Sequence, residues 1–203
     1  MDLDLRKSGH GIGSNASLQS NLVLYSYCHS SCSWRIRFAL SLKGIPYEYK
    51  AVDLSKGEQY SPEFERLNPL HYVPVLVDDN VVVSDSYAIF LHLEEKYTQK
   101  PLLPVDPQLR ALNLQVASII HSSIQPLHML NVLNQNHGPN LPLTKVSQAD
   151  VFLAPQITLA VQRFDIDMSK FPTLSRLYET YKALPEFQAS SPQRQPDALI
   201  HNP

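Results

Sequence analysis

The chain has 203 residues, 43% of them hydrophobic and 18% charged, with a formal net charge of -2. That is enough apolar material for one compact unit or two small domains, and it gives no basic field for nucleic acid or anionic lipid. No apolar run reaches the roughly 20 residues that span a bilayer, and the first 20 residues lack the apolar stretch of a secretory signal. The expected address is therefore cytoplasmic, with no membrane and no nucleic acid among the partners. Cys28 and Cys32 are the only cysteines, too few for a disulfide scaffold.

In chain order, residues 1–20 are polar and Gly/Ser-rich and are expected to form a disordered leader. "LVLYSY" (Leu22–Tyr27) reads as a strand. Ser33 to Lys43 carries Ile36, Ala39, Leu40 and Lys43 on one helical stripe, and Gly44 supplies a left-handed stop. "PYEYKAVDL" is a second strand, and Ser61-Pro62 opens a short helix in "GEQYSPEFERLNP". "VPVLV" and "VVVS" flank the turn Asp78-Asp79-Asn80 as a hairpin, and Asp85 to Lys96 returns to helical spacing. The order β-α-β-α-β-β-α fits a small mixed sheet. After the linker "QKPLLPVDP" the strand signals end: Pro107–Leu133, Val151–Phe164 and Thr173–Leu184 all read as helices. Ser147 and Asp150 form an S-x-x-D capping box before the second of them, with Val146 and Val151 spaced as a hydrophobic staple.

The stretch "YCHSSCSWRIRFALSLKG" places serines, a thiol and two arginines where a strand meets a helix. The first turn of a helix offers unpaired N–H groups and a partial positive charge, so it suits an anion. The serines are also ordinary helix caps, and local sequence leaves both roles open. Cys28 and Cys32 are open to a local disulfide, a mixed disulfide or, for Cys28, simple apolar filling. His121 and His128 lie seven apart, but no third ligand follows at a zinc-like spacing, so no metal is expected.

Taken together, "SSCSWRIRFAL", "NPLHYVPVL", Asp85-Ser86 before a helix, "LLP", "IQPL", "ADVFLAPQI" and "RQPD" resemble the zeta-class glutathione transferases, the maleylacetoacetate isomerases. The resemblance implies an α/β thioredoxin-like domain over 21–100 that binds glutathione, followed by an all-α domain over 101–203. It also implies a homodimer, and a reaction in which a glutathione thiolate isomerises a dicarboxylate enedione or attacks small electrophiles such as α-halo acids. A free thiol of pKa near 8.5 is mostly protonated at pH 7, so the site must favour the anion.

By resemblance Ser30 is the thiolate's hydrogen-bond donor, with Ser31, Cys32 and Arg35 sharing the catalytic turn. Ser33 and Trp34 complete the glutathione-binding turn. Val73-Pro74 matches the cis-proline position, whose backbone pairs with the cysteinyl residue; a trans proline starting a strand is the alternative. Asp85, where relatives often have Gln, and Ser86 hold the γ-glutamyl end. Gln59 and Gln125 match glutathione-contacting amides, or else are solvated surface groups. Arg163 and Arg35 are the cations for the substrate carboxylates; the other role for Arg163 is a surface ion pair with Asp165 or Asp167.

The family places a long helix between "LNVLN" and "ADVFLAP", where this chain has only "QNHGPNLPLTKVSQ". The all-α domain is therefore expected to be shortened around 134–147. Two other readings fit the residues: a thiol-disulfide oxidoreductase using Cys32, and a glutathione-binding variant with little catalysis.

Overall fold

The computed structural model describes residues 21–125, 146–164 and 166–198. The expected leader, His128 and most of the shortened connection lie outside the described residues.

Four strands form one sheet in the order β2-β1-β3-β4. β1 (Leu22–Ser26) is central, pairing in parallel with β2 (Glu48–Ala51) and antiparallel with β3 (Val75–Asp78); β4 (Val81–Ser84) closes the edge as the hairpin partner of β3. The β1–β2 crossover is α1 (Ser31–Lys43). It ends on Gly44 at φ 68°, whose N–H returns to the carbonyls of Leu40 and Ser41, the left-handed stop that glycine makes without a Cβ clash. α2 (Pro62–Leu67) starts as the Ser61-Pro62 pair requires, with Ser61 Oγ accepting from Phe64 N. It packs Phe64 against Val52, Val73 and Val75 in a small core. α3 (Ser86–Lys96) follows the hairpin.

Leu22 and Leu24 share one face of β1 and join the main core with α1 and α3. In α1 every residue from Ser33 to Leu40 is buried. A helix buried all round lies between two layers, and the second layer is the helical half. That half comprises α4 (Pro107–Ile119), a π-helical turn (Ile120–Ile124), α5 (Gln148–Arg163), α6 (Pro172–Lys182) and α7 (Pro185–Ala189). The sequence stripe for one helix over Pro107–Leu133 is thus interrupted: the regular helix ends at Ile119, and Gln125 N bonds five residues back to Ile120 O at 2.9 Å.

Polar keys fix the halves together. Lys43, expected on the apolar stripe, is buried but turns its ammonium to Glu94 Oε1 at 2.6 Å and to Lys100 O. Glu94 also accepts from the N–H groups of Leu102 and Leu103, so a buried carboxylate holds the linker with its charge matched. At the start of α5, Asp150 reaches back to the N–H and hydroxyl of Ser147 and takes a third hydrogen bond from Tyr181 Oη at 2.6 Å. Asn113 Oδ1 on α4 accepts from Ala149 N. The capping box is therefore built as the sequence predicts, Val146 and Val151 both join the main core, and the helices around the box are tied to it.

Candidate functional site

The β1–α1 junction is held from three sides. Arg37, with no exposed surface, donates to Ser26 Oγ, Tyr27 O, Cys28 O and Ser190 O at 3.0–3.2 Å. Asp197, from the "RQPD" stretch, accepts from Cys28 N and Tyr49 Oη, both at 2.8 Å. Ser33 Oγ accepts from Tyr27 N at 3.5 Å. These bonds fix the loop that delivers Ser30.

Ser30 is the N-cap of α1 and Oγ accepts from Ser33 N at 3.2 Å. That bond uses an oxygen lone pair, so the hydroxyl proton stays available to a second partner. Capping and donation to an anion, alternatives in the sequence, are thus compatible in one group. Trp34 N goes to Ser30 O, which leaves the N–H groups of Ser31 and Cys32 as open donors among the described residues. No acidic side chain occupies the first turn of α1.

Behind this turn lies Arg35, fully buried, its guanidinium 4.5 Å from the centre of the Phe152 ring. Nη1 contacts Ser86 Oγ at 3.3 Å and His121 Nδ1 at 3.4 Å, while Nε and Nη2 have no hydrogen-bond partner among the described residues. Burial disfavours the Arg35 charge; the nearby Cys32 and Asp85 favour it. Burial likewise pushes the Cys32 thiol up, against the pull of Arg35 and of hydrogen bonds from Ser31 and Ser86. A thiol held protonated is a poor nucleophile, which weighs against the oxidoreductase reading. Cys28 is pushed up to about 12, first by burial and then by Asp197, consistent with an inert filler.

Val73-Pro74 is cis, as expected, and leads directly into β3. Asp85 caps α3, with Oδ1 accepting from Tyr87 N and Ala88 N. Its φ is 84°, a region sparsely used by non-glycine residues; the cap and a contact from His121 Nε2 to Oδ2 at 3.2 Å hold it there. Ser86 is buried beside it. Gln59 and Gln125 each have a buried Oε1 with no partner among the described residues. A buried acceptor left open is costly, so both amides suit a ligand better than a solvated surface.

Three expectations need correction. Trp34 does not face this site: its ring stacks on Phe187 at 4.7 Å and Nε1 donates to Ser190 Oγ. Trp34 and Phe38, four apart, both pack on Phe187 as one helical face must. Ser33, equally enclosed, turns its side chain inward to the loop. Arg35 has no surface to offer a substrate carboxylate. Arg163 is exposed in the last turn of α5, eleven residues and about 16 Å along the helix from Phe152. Asp167 pairs with Lys170 instead of Arg163, and Asp165 lies outside the described residues. His121, which the zinc argument considered and set aside, is the site residue that sequence reasoning missed.

A family profile for the glutathione S-transferase N-terminal domain matches residues 29–96. The zeta-class glutathione S-transferase of Euphorbia esula is 47% identical over 208 residues, covering 87% of this chain and 92% of the relative. The maleylacetoacetate isomerase of Rattus norvegicus is 43% identical over 204 residues, covering 86% and 94%. Among solved structures, maleylacetoacetate isomerase from Anaeromyxobacter dehalogenans, with dicarboxyethyl glutathione and citrate bound in its active site, matches with a TM-score of 0.73 at 32% identity. That match covers 92% of this chain and 99% of the other.

Proposed function

The chain belongs to the zeta class of glutathione transferases, and from that membership we propose that it isomerises maleylacetoacetate to fumarylacetoacetate with glutathione as catalyst. Transfer of glutathione to small electrophiles such as α-halo acids is a second use of the same site. The observation that carries the proposal is the N-terminal turn of α1: a capped helix end with no carboxylate of its own, a serine hydroxyl proton to give, and a buried arginine behind it.

The residues fit glutathione. Open acceptors at Gln59 and Gln125, the Val73 backbone before β3, and Asp85 with Ser86 at the start of α3 match its peptide and its γ-glutamyl end. Bound glutathione supplies a thiolate that adds to the conjugated double bond, allows rotation about the resulting single bond and leaves again. Ser30 donates its hydroxyl proton to the sulfur, and the N–H groups of Ser31 and Cys32 face the same anion. One such donor with the helix terminus accounts for about one to two pKa units, each worth about 1.4 kcal/mol. Ser30→Ala is expected to lower turnover of maleylacetone more than tenfold, and Cys32→Ala less. The reverse order, with disulfide reductase activity lost in the Cys32 variant, would sink the assignment.

The domain division at about residue 100, with a shortened connection around 134–147, is part of the same reading. Its support is that the alignment with the Euphorbia relative runs over 208 residues, more than the whole 203-residue chain, so it contains gaps on this side. A version with a helix inserted between Asn134 and Ser147 should turn over maleylacetone at least tenfold faster and melt higher; equal values would show that the short connection suffices. A cytosolic homodimer completes the proposal. The two free cysteines suit a reducing compartment. The exposed Leu70 and Tyr72 on one half, and Leu109 and Leu112 on α4, offer apolar surface for pairing. A monomer mass by light scattering at micromolar concentration would refute the dimer.

A further inference from the structure

We propose that His121, on the helical half, sets the preference of this site for the free ammonium of the γ-glutamyl residue by holding the Asp85 carboxylate in its receiving orientation; this rests on the glutathione reading above. Arg35 Nη1 only donates, so the ring nitrogen facing it at 3.4 Å, His121 Nδ1, accepts. The ring proton is then on Nε2, which lies 3.2 Å from Asp85 Oδ2. Asp85 Oδ1 is already taken by Tyr87 N and Ala88 N. The carboxylate is thus fixed at Oδ1 and faced by His121 at Oδ2, and Oδ2 keeps lone-pair capacity for an incoming ammonium.

The same Arg35 nitrogen donates to Ser86 Oγ at 3.3 Å. One buried guanidinium nitrogen therefore connects both residues assigned to the γ-glutamyl end, Ser86 directly and Asp85 through His121. The π-helical turn brings His121 to this seam. Its wider winding shifts the register of the residues that follow Ile119, and the ring rests 5.9 Å from that of Tyr87. The Asp85 carboxylate has no N–H with which to orient itself, and the His121 ring beside it carries one.

Both residues act as positioning groups, so the test compares two ligands rather than two rates. Glutathione and glutaryl-cysteinyl-glycine, which differ only in the α-ammonium, are titrated by calorimetry into the intact wild-type chain, His121→Ala and His121→Gln. Wild type should prefer glutathione at least tenfold. His121→Ala should lose at least threefold of that preference through weaker glutathione binding, with the glutaryl peptide unchanged within twofold. His121→Gln, which keeps one acceptor and one donor, should recover most of the loss. In turnover, the KM for glutathione should rise in His121→Ala while kcat changes less than twofold. Equal weakening of both peptides, or an unchanged preference, overturns the inference and leaves the glutathione reading standing. A wild type that binds neither peptide overturns both.

Discussion

Arg35 and Arg37 lie two apart on one helix, are equally buried, and serve opposite ends. Arg37 gives all three of its nitrogens to carbonyls and a hydroxyl that lock the β1–α1 loop. Arg35 shares one nitrogen between Ser86 and His121 and leaves two unused among the described residues. A saturated buried arginine is a fastener, because losing it orphans every acceptor it served. An unsaturated one is a charge stored against its own desolvation, and it lies behind the turn proposed to bind the glutathione thiolate.

The largest expected effect comes from exchanging each arginine for methionine. Arg37→Met should cost about 3–5 kcal/mol and lower the melting temperature by on the order of 10 °C. Arg35→Met should stay within about 1 kcal/mol of the parent, since an apolar residue of similar volume often replaces an uncompensated buried charge without loss, while turnover falls. Paired chemical denaturation and maleylacetone assays check this; equal destabilisation by the two variants breaks the contrast.

A smaller effect sharpens it by way of a third buried charge. Burial raises the Asp78 carboxyl, but hydrogen bonds from Lys96, His92 and Tyr97 outweigh that and hold it below its ordinary value. A carboxyl lowered by folding contributes stability above its unfolded value near 3.9, and that contribution disappears as pH falls through the lower folded value. Urea midpoints should therefore drop below about pH 4, and Asp78→Asn should show a shallower drop and cost about 1–3 kcal/mol at pH 7. Asp78 resembles Arg37 in being satisfied. An acid limb that is the same in both proteins would show that its partners contribute nothing.

The sequence made the local elements legible because their signals are local. Gly44 after α1, Ser61-Pro62 before α2 and the Ser147–Asp150 box before α5 each act within one turn. The motif also located the turn proposed to bind the glutathione sulfur, but motif membership does not say which way a side chain points. Trp34 belongs to the recognisable string and faces Phe187; a pattern of four-apart aromatics with Phe38 was the available clue. What stayed hidden was long-range polar matching: Glu94 with Leu102 and Leu103, Asn113 with Ala149, and His121 with Asp85. Such pairs leave no periodicity, since each member looks like an ordinary surface residue until the chain brings the other to it.

Asp197 anchors Cys28 across 169 residues of sequence, and this has a consequence for how the protein is made. At about 5–20 residues per second, a ribosome adds Asp197 roughly ten to thirty seconds after the loop it secures. During that interval the sheet and α1 are already synthesised, but the junction carrying Ser30 lacks both Asp197 and the Ser190 carbonyl that Arg37 requires. The turn proposed as catalytic is thus completed after synthesis of the sheet and helix that carry it, and a nascent chain released early would carry Ser30 without the Asp197 and Ser190 contacts that hold its loop.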